Sequence, residues 1–263
     1  MKQAPALVPG PCVRETSALL FKRANRDLAD KAKAWLRKPS DAGALHEFRN
    51  SVRRLRSLER LFPGKSARSG RTRLRKAGDV LGFIRDLDVI ISLAAESPHA
   101  ELIRAFAGIR RQQAIDRARR YFRSIGAGSL MLHPPAMKVD GSTGEYFNQR
   151  FEAYVERVKR SRKWAASRRP DRLHRLRIRL RRIRYLMMIM GSLASREQVQ
   201  LASRFRACEK RLGQVHDLDM ALELLKICPG RSERLEAIWV RARKTRLDQF
   251  RTAWRKTGKK WAD

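Results

Sequence analysis

"LHEFRNSVRRLRSLERLF" occupies residues 45–62, and its reading decides the fold. Wound as an α-helix, about 100° per residue, it separates into two neighbouring sectors. Leu45, Phe48, Val52, Leu55, Leu58 and Phe62 fall in one, and His46, Arg49, Arg53, Arg56 and Arg60 fall in the other. Strand-like alternation would mix the two sets, so the stretch is an amphipathic helix whose second face is a line of cations at one-turn spacing. Like charges at i,i+4 oppose an isolated helix by a few tenths of a kcal/mol per pair. Keeping such a ladder implies a compensating anion.

The same text returns at 173–188 as "LHRLRIRLRRIRYLMM". Leu173, Leu176, Leu180, Ile183, Leu186 and Met190 form its apolar stripe, while His174, Arg177, Arg181 and Arg184 form its basic one. Met188 stands where Arg60 stood, so the second ladder is one rung shorter. Further matches follow in order. "LGFIRDLD" at 81–88 pairs with "LGQVHDLD" at 212–219 at an offset of 131, against 128 for the two Leu-His pairs. Arg111 falls on Arg243 at an offset of 132, and Arg73 and Arg75 fall on Arg204 and Arg206 at 131. Slowly rising offsets are those of a duplicated unit that has gained small loop insertions.

Gly and Pro punctuate the chain at 38–43, 62–66, 96–99 and 228–232, and the segments between them carry apolar residues at three- and four-residue spacing. The expected fold is all-α. Helices are expected near 13–37, 44–62, 66–97 and 99–126, then near 145–168, 171–191, 195–227 and 231–257. They make two four-helix bundles, 13–126 and 145–258, with tails at 1–12 and 259–263 and a Gly- and Pro-bearing linker at 127–144.

The chain has 263 residues, with 61 Lys+Arg against 26 Asp+Glu and a formal net charge of +35. Arginine supplies 45 of those cations, and its planar fork of donors suits phosphate oxygens better than ammonium does. So large an imbalance repels itself in a compact state unless a polyanion neutralises part of it. Cys12, Cys208 and Cys228 form no CxxC pair and have no zinc-type spacing with His, which points to a reducing compartment. No secretory signal and no run of ~18 apolar residues is present, so a cytoplasmic protein without a membrane span is expected.

The ladders therefore read as phosphate-binding faces, with a solvated or internally paired charged face as the alternative. The histidines read as ligand contacts, with a structural or capping role as the rival. Asp86, Asp88, Asp217 and Asp219 read as partners of surplus arginines rather than as metal ligands, because residues two apart on a helix point to different sides.

The motifs "LHEFRNSVRRLR" with "LGFIRDLDV" and "LHRLRIRLRRIRYL" with "LGQVHDLDMAL" resemble the CHAD family, the conserved histidine α-helical domain, over about residues 13–257. The resemblance implies two four-helix bundles related by a pseudo-twofold, with a basic groove between them that holds inorganic polyphosphate, and association with polyphosphate granules. Carried over, the binding residues are His46, Arg49, Arg53, Arg56, His174, Arg177, Arg181 and Arg184. Arg60 joins them from its place on the stripe, and Arg73, Arg75, Arg204, Arg206, Arg111 and Arg243 form a second tier. Many relatives also carry an N-terminal domain with an ExExK signature; none occurs here, and a stand-alone domain is expected.

The residues agree with that ligand independently. The stripes contain no aromatic platform for stacking bases, and a row of arginines reads phosphate alone. A non-enzymatic binder without cofactor or metal is the reading. The alternative is a protein that binds the RNA or DNA backbone. A remote one is an HD-type metal phosphohydrolase built on His174, His216-Asp217 and Asp248, which is undermined because His216 falls on Arg85.

Overall fold

The computed structural model of the chain describes residues 12–62, 68–134 and 141–258. The order is α1 (Val13–Arg37), α2 (Ala42–Leu61), α3 (Arg68–Ala95), α4 (Glu101–Ile125), α5 (Thr143–Arg160), α6 (Pro170–Met190), α7 (Arg196–Lys226) and α8 (Glu233–Gly258). No strand occurs among the described residues; one isolated bridge pairs Cys12 with Ser142. The described residues divide into two compact units, 12–143 with 228–230, and 144–227 with 231–258. Each unit contains four helices, as the periodicity required.

In the first unit α1 packs on α2, α2 on α3, and α3 on α4. The apolar sector of α2 is the reason. Leu45, Phe48, Val52 and Leu55 are fully buried, and Leu58 and Phe62 nearly so. Phe48 lies 5.9 Å from Trp35 of α1 and 5.0 Å from Phe122 of α4, and Trp35 meets Phe122 edge-on at 5.7 Å. These three rings close α1, α2 and α4 around one core, in the tilted geometries aromatic pairs prefer. Asp41 starts α2, its carboxylate accepting from the backbone N–H groups of Gly43 (2.7 Å) and Ala44 (3.1 Å).

In the second unit α6 packs on α7 and α7 on α8. All six residues of the predicted α6 stripe, from Leu173 to Met190, are buried. Pro170 occupies the first turn, where its missing N–H costs nothing, and Gly191 ends the helix at φ 54°, in the left-handed region that glycine tolerates. Ser195 and Gln198 then form a reciprocal capping box that opens α7.

Two elements differ from the sequence reading. The fifth helix, expected to 168, ends at Arg160 and continues as a 3₁₀ turn over Arg162–Ala166. The hydroxyl of the fully buried Ser161 lies within hydrogen-bonding distance of the carbonyls of Arg157 (3.0 Å) and Val158 (2.9 Å), which offers the backbone an alternative to another α-turn. Trp164 in the tightened turn lies beneath the guanidinium of Arg179, 4.4 Å from the ring centre. The second difference concerns the segment read as a linker. Leu130 and Leu132 are buried, and Asn25 of α1 holds the Leu132 backbone by both groups, donating to its carbonyl (2.7 Å) and accepting from its N–H (3.1 Å). Residues up to 132 are thus part of the first unit's packing. The expected start of the third helix at 66, the tails 1–11 and 259–263, and linker positions 135–140 lie outside the described residues.

Candidate functional site

Once the apolar sectors of α2 and α6 are buried, helical geometry fixes where the basic sectors stand. In the first unit Arg49, Arg53 and Arg56 are half-buried along the flank of α2, with His46 and Arg60 exposed at the two ends of the stripe. Arg54, one position off the stripe, turns the other way and pairs with Asp27 of α1 at 3.2 Å. On the stripe itself, Arg49 comes within 3.9 Å of Asp86 on α3.

The stripe's electrostatics show the strain of like charges brought together out of water. Burial pushes the Arg56 guanidinium below its ordinary pKa, and the cations Arg60 and Arg75 add to that shift, while Asp79 and Glu59 oppose it. His46 is held below the usual imidazole value of 6.5 by burial first, then by Arg85, with Arg49 and Arg53 contributing and Glu47 opposing. Arg75 of α3 therefore stands close enough to act on the stripe, and Arg73 is exposed on the same helix.

The second unit follows a similar plan, one rung shorter and with a further change. Arg177, Arg181 and Arg184 are half-buried on α6, and Met188 at the missing rung is exposed. His174 is likewise held below 6.5, by burial and then by Arg177 and Arg181. Its ring lies 4.8 Å from that of His216 on α7. The change is an acid: Glu209 of α7 reaches Arg181 Nε at 3.2 Å and Arg184 Nε at 3.0 Å. An internally paired face is the alternative that the sequence leaves open, and here one acid stands against two of the rungs.

Arg111 and Arg243, placed in the second tier, have structural work. Arg111 of α4 donates from Nε to Asp88 Oδ1 of α3 at 2.6 Å and from Nη2 to the Ser40 carbonyl at 3.0 Å. Arg243 of α8 makes the matching bond to Asp219 of α7. The final aspartates of "RDLD" and "HDLD" are thus helix-to-helix ion pairs, as expected from a chain with surplus arginine. Arg204 is half-buried and Arg206 exposed on α7.

Among the described residues no group of three or more His, Cys, Asp or Glu is close enough to hold a metal ion, and no helix is long and apolar enough to cross a membrane. Two residues beside the histidines were not among the expected polyphosphate contacts: Arg85, which acts on His46, and His216, beside His174. They occupy one register in "LGFIRDLD" and "LGQVHDLD", and that shared register was the available signal.

Fold and site together define an all-helical protein of two four-helix units, each bearing one helix with an arginine-lined face. The chain belongs to the CHAD domain family, whose model matches residues 20–226. The CHAD domain from the plant Ricinus communis, known from a crystal structure, is similar in fold: TM-score 0.76 at 20% sequence identity, covering 97% of this chain and 96% of that chain. No curated protein matches the chain.

Proposed function

We propose that this protein binds inorganic polyphosphate through the arginine stripes of α2 and α6, without chemistry, and that binding localises it to polyphosphate granules in the cytoplasm. The observation that carries the reading is the condition of the stripes. Arg56, His46 and His174 are each partly desolvated among other cations, and each has its protonated form destabilised as a result. A polyanion laid along such a face relieves that destabilisation, because an opposite charge nearby favours the charged form. Arginine forks give charge-assisted bonds to phosphate oxygens, and release of the polyanion's counterions adds a salt-dependent term.

His46, Arg49, Arg53, Arg56 and Arg60 are the contacts in the first unit, and His174, Arg177, Arg181 and Arg184 those in the second. Arg75 and Arg85 extend the first set, since both act electrostatically on its members. The sequence supports the reading, since a similar ladder of cations is written at 45–62 and again at 173–188. A net charge of +35 also attracts nucleic acid, so the test is competitive. Long-chain polyphosphate is titrated at physiological salt against RNA at equal phosphate concentration. Polyphosphate binding that excess RNA fails to displace supports the site. Easy displacement assigns the binding to overall charge and moves nucleic acid ahead.

A further inference from the structure

One difference between the helices packed against the two stripes bears directly on their arginines. Glu209 lies four residues before Gly213 in α7, and at the same place, four before Gly82 in α3, the first unit has Gly78. The two positions face matching arginines. A Cβ added at Gly78 would sit 2.4 Å from Arg56 Nη1, and Glu209 holds Arg184, the arginine that matches Arg56. In the first unit the glycine lets the Arg56 guanidinium lie against α3 at this position. In the second a carboxylate stands there.

That carboxylate does to the stripe what a phosphate group would do. One oxygen takes Arg181 and the other takes Arg184, two consecutive rungs, and its side chain is only 11% exposed. The substitute is incomplete: Arg181 hydrogen-bonds it through Nε alone, and Arg184 Nε lies 3.0 Å from it as an ion pair without a hydrogen bond. Arg181 Nη2 remains buried with no hydrogen-bonding partner among the described residues. A phosphate chain offers several oxygens per rung and so satisfies donors that one glutamate leaves over.

Resting on the polyphosphate reading above, we propose that Glu209 is an internal anion that occupies the α6 stripe in the absence of ligand and sets its affinity below that of the α2 stripe. Polyphosphate fills the α2 face first. It enters the α6 face only by displacing Glu209 from Arg181 and Arg184. Glu209 is thus an affinity-determining residue of the binding site, and Gly78 is the corresponding open state.

The test exchanges the two positions in the full chain and reads the affinity for long-chain inorganic polyphosphate by calorimetry. In an Arg49→Ala/Arg53→Ala/Arg56→Ala background, which isolates the α6 stripe, Glu209→Gln is expected to tighten binding at least about fivefold, since charge-assisted bonds to the displaced carboxylate no longer oppose the ligand. In the otherwise unaltered chain Gly78→Glu is expected to weaken binding by a similar factor. It replaces a mid-helix glycine by a better helix former and displaces only the flexible end of Arg56, so folding is preserved. Unchanged or weaker binding by folded Glu209→Gln, or undiminished binding by Gly78→Glu, overturns the inference and leaves Glu209 a strut between helices. If the unaltered protein binds no polyphosphate, the functional reading itself fails, an outcome distinct from either of these.

Discussion

Replacing Arg111 by alanine separates a structural role from a ligand-binding one at a position the sequence placed in the second tier. Arg111 and Asp88 are 16% and 9% exposed and meet at 2.6 Å, and the same guanidinium anchors the Ser40 carbonyl just before the cap of α2. At an effective dielectric near 20, the attraction at that distance is about 6 kcal/mol, much of which offsets the desolvation of the two charges. Removing one partner leaves the other buried and uncompensated, and such losses run at about 3–5 kcal/mol. The Ser40 carbonyl lies near solvent and rehydrates, so it adds little. We therefore expect Arg111→Ala to destabilise the first unit by about 4 kcal/mol. For a unit of this size that lowers its melting temperature by roughly 10–15 °C.

Helical circular dichroism followed through heat and urea measures that loss, with polyphosphate affinity measured in parallel at a temperature where the variant stays folded. An Asp88→Ala/Arg111→Ala double variant should lose less than the sum of the two single losses, because no buried charge is stranded. A stability loss below ~1 kcal/mol in Arg111→Ala, accompanied by a large fall in affinity, would refute the reasoning and make Arg111 a ligand contact; the threshold lies well under the range for buried pairs.

Three further outcomes are expected. Arg49→Ala/Arg53→Ala/Arg56→Ala should weaken polyphosphate binding strongly and flatten the salt dependence of log affinity by about 2, if each contact contributes roughly as phosphate contacts do in nucleic-acid complexes; unchanged helicity in circular dichroism shows that the fold survives. Acidification acts through His46 and His174, both held below 6.5 by burial and neighbouring cations. As pH falls from 6.5 the unfolded chain takes up protons first, so the ligand-free protein loses stability until the lowered folded-state values are passed. Bound polyphosphate reverses the sign by stabilising the protonated rings, so affinity rises over the same interval, and a His46→Ala/His174→Ala variant should flatten both titrations. Phe48→Ala, which empties the space between Trp35 and Phe122, should cost about 3–5 kcal/mol in urea unfolding while leaving the α6 stripe's binding intact.

The helices were legible because their apolar residues alone carry the period. Every residue of the two apolar stripes, from Leu45 to Phe62 and from Leu173 to Met190, is buried, and no acid–base pairing was needed to place them. The end of α5 was less legible. Nothing in the period of "VKRSRKW" forbids another turn, and the 3₁₀ turn there becomes intelligible only once Ser161 is seen buried against the carbonyls of its own helix. The "RDLD" and "HDLD" aspartates fall between these cases. Their pairing with arginine followed from the excess of cations, but the choice of Arg111 and Arg243 needed α4 and α8 to be placed beside α3 and α7.

Glu209 shows why the rest of the site was not legible. In "ACEKRLG" it is flanked by cations on its own helix and reads as one member of a solvated charge run. Its meaning lies across a helix interface, in the two guanidinium groups it bridges, and a one-dimensional wheel of α6 does not contain α7. The sequence does hold the complementary clue in its other half. Glycine is a poor choice for the middle of a helix, by about 1 kcal/mol against alanine, yet Gly78 stands in one. Its Cβ would collide with Arg56, so the glycine makes room for an arginine that the matching helix secures with an acid. The packed helices thus set different groups against the two ladders: Glu209 stands between Arg181 and Arg184, whereas Gly78 lets Arg56 lie against α3.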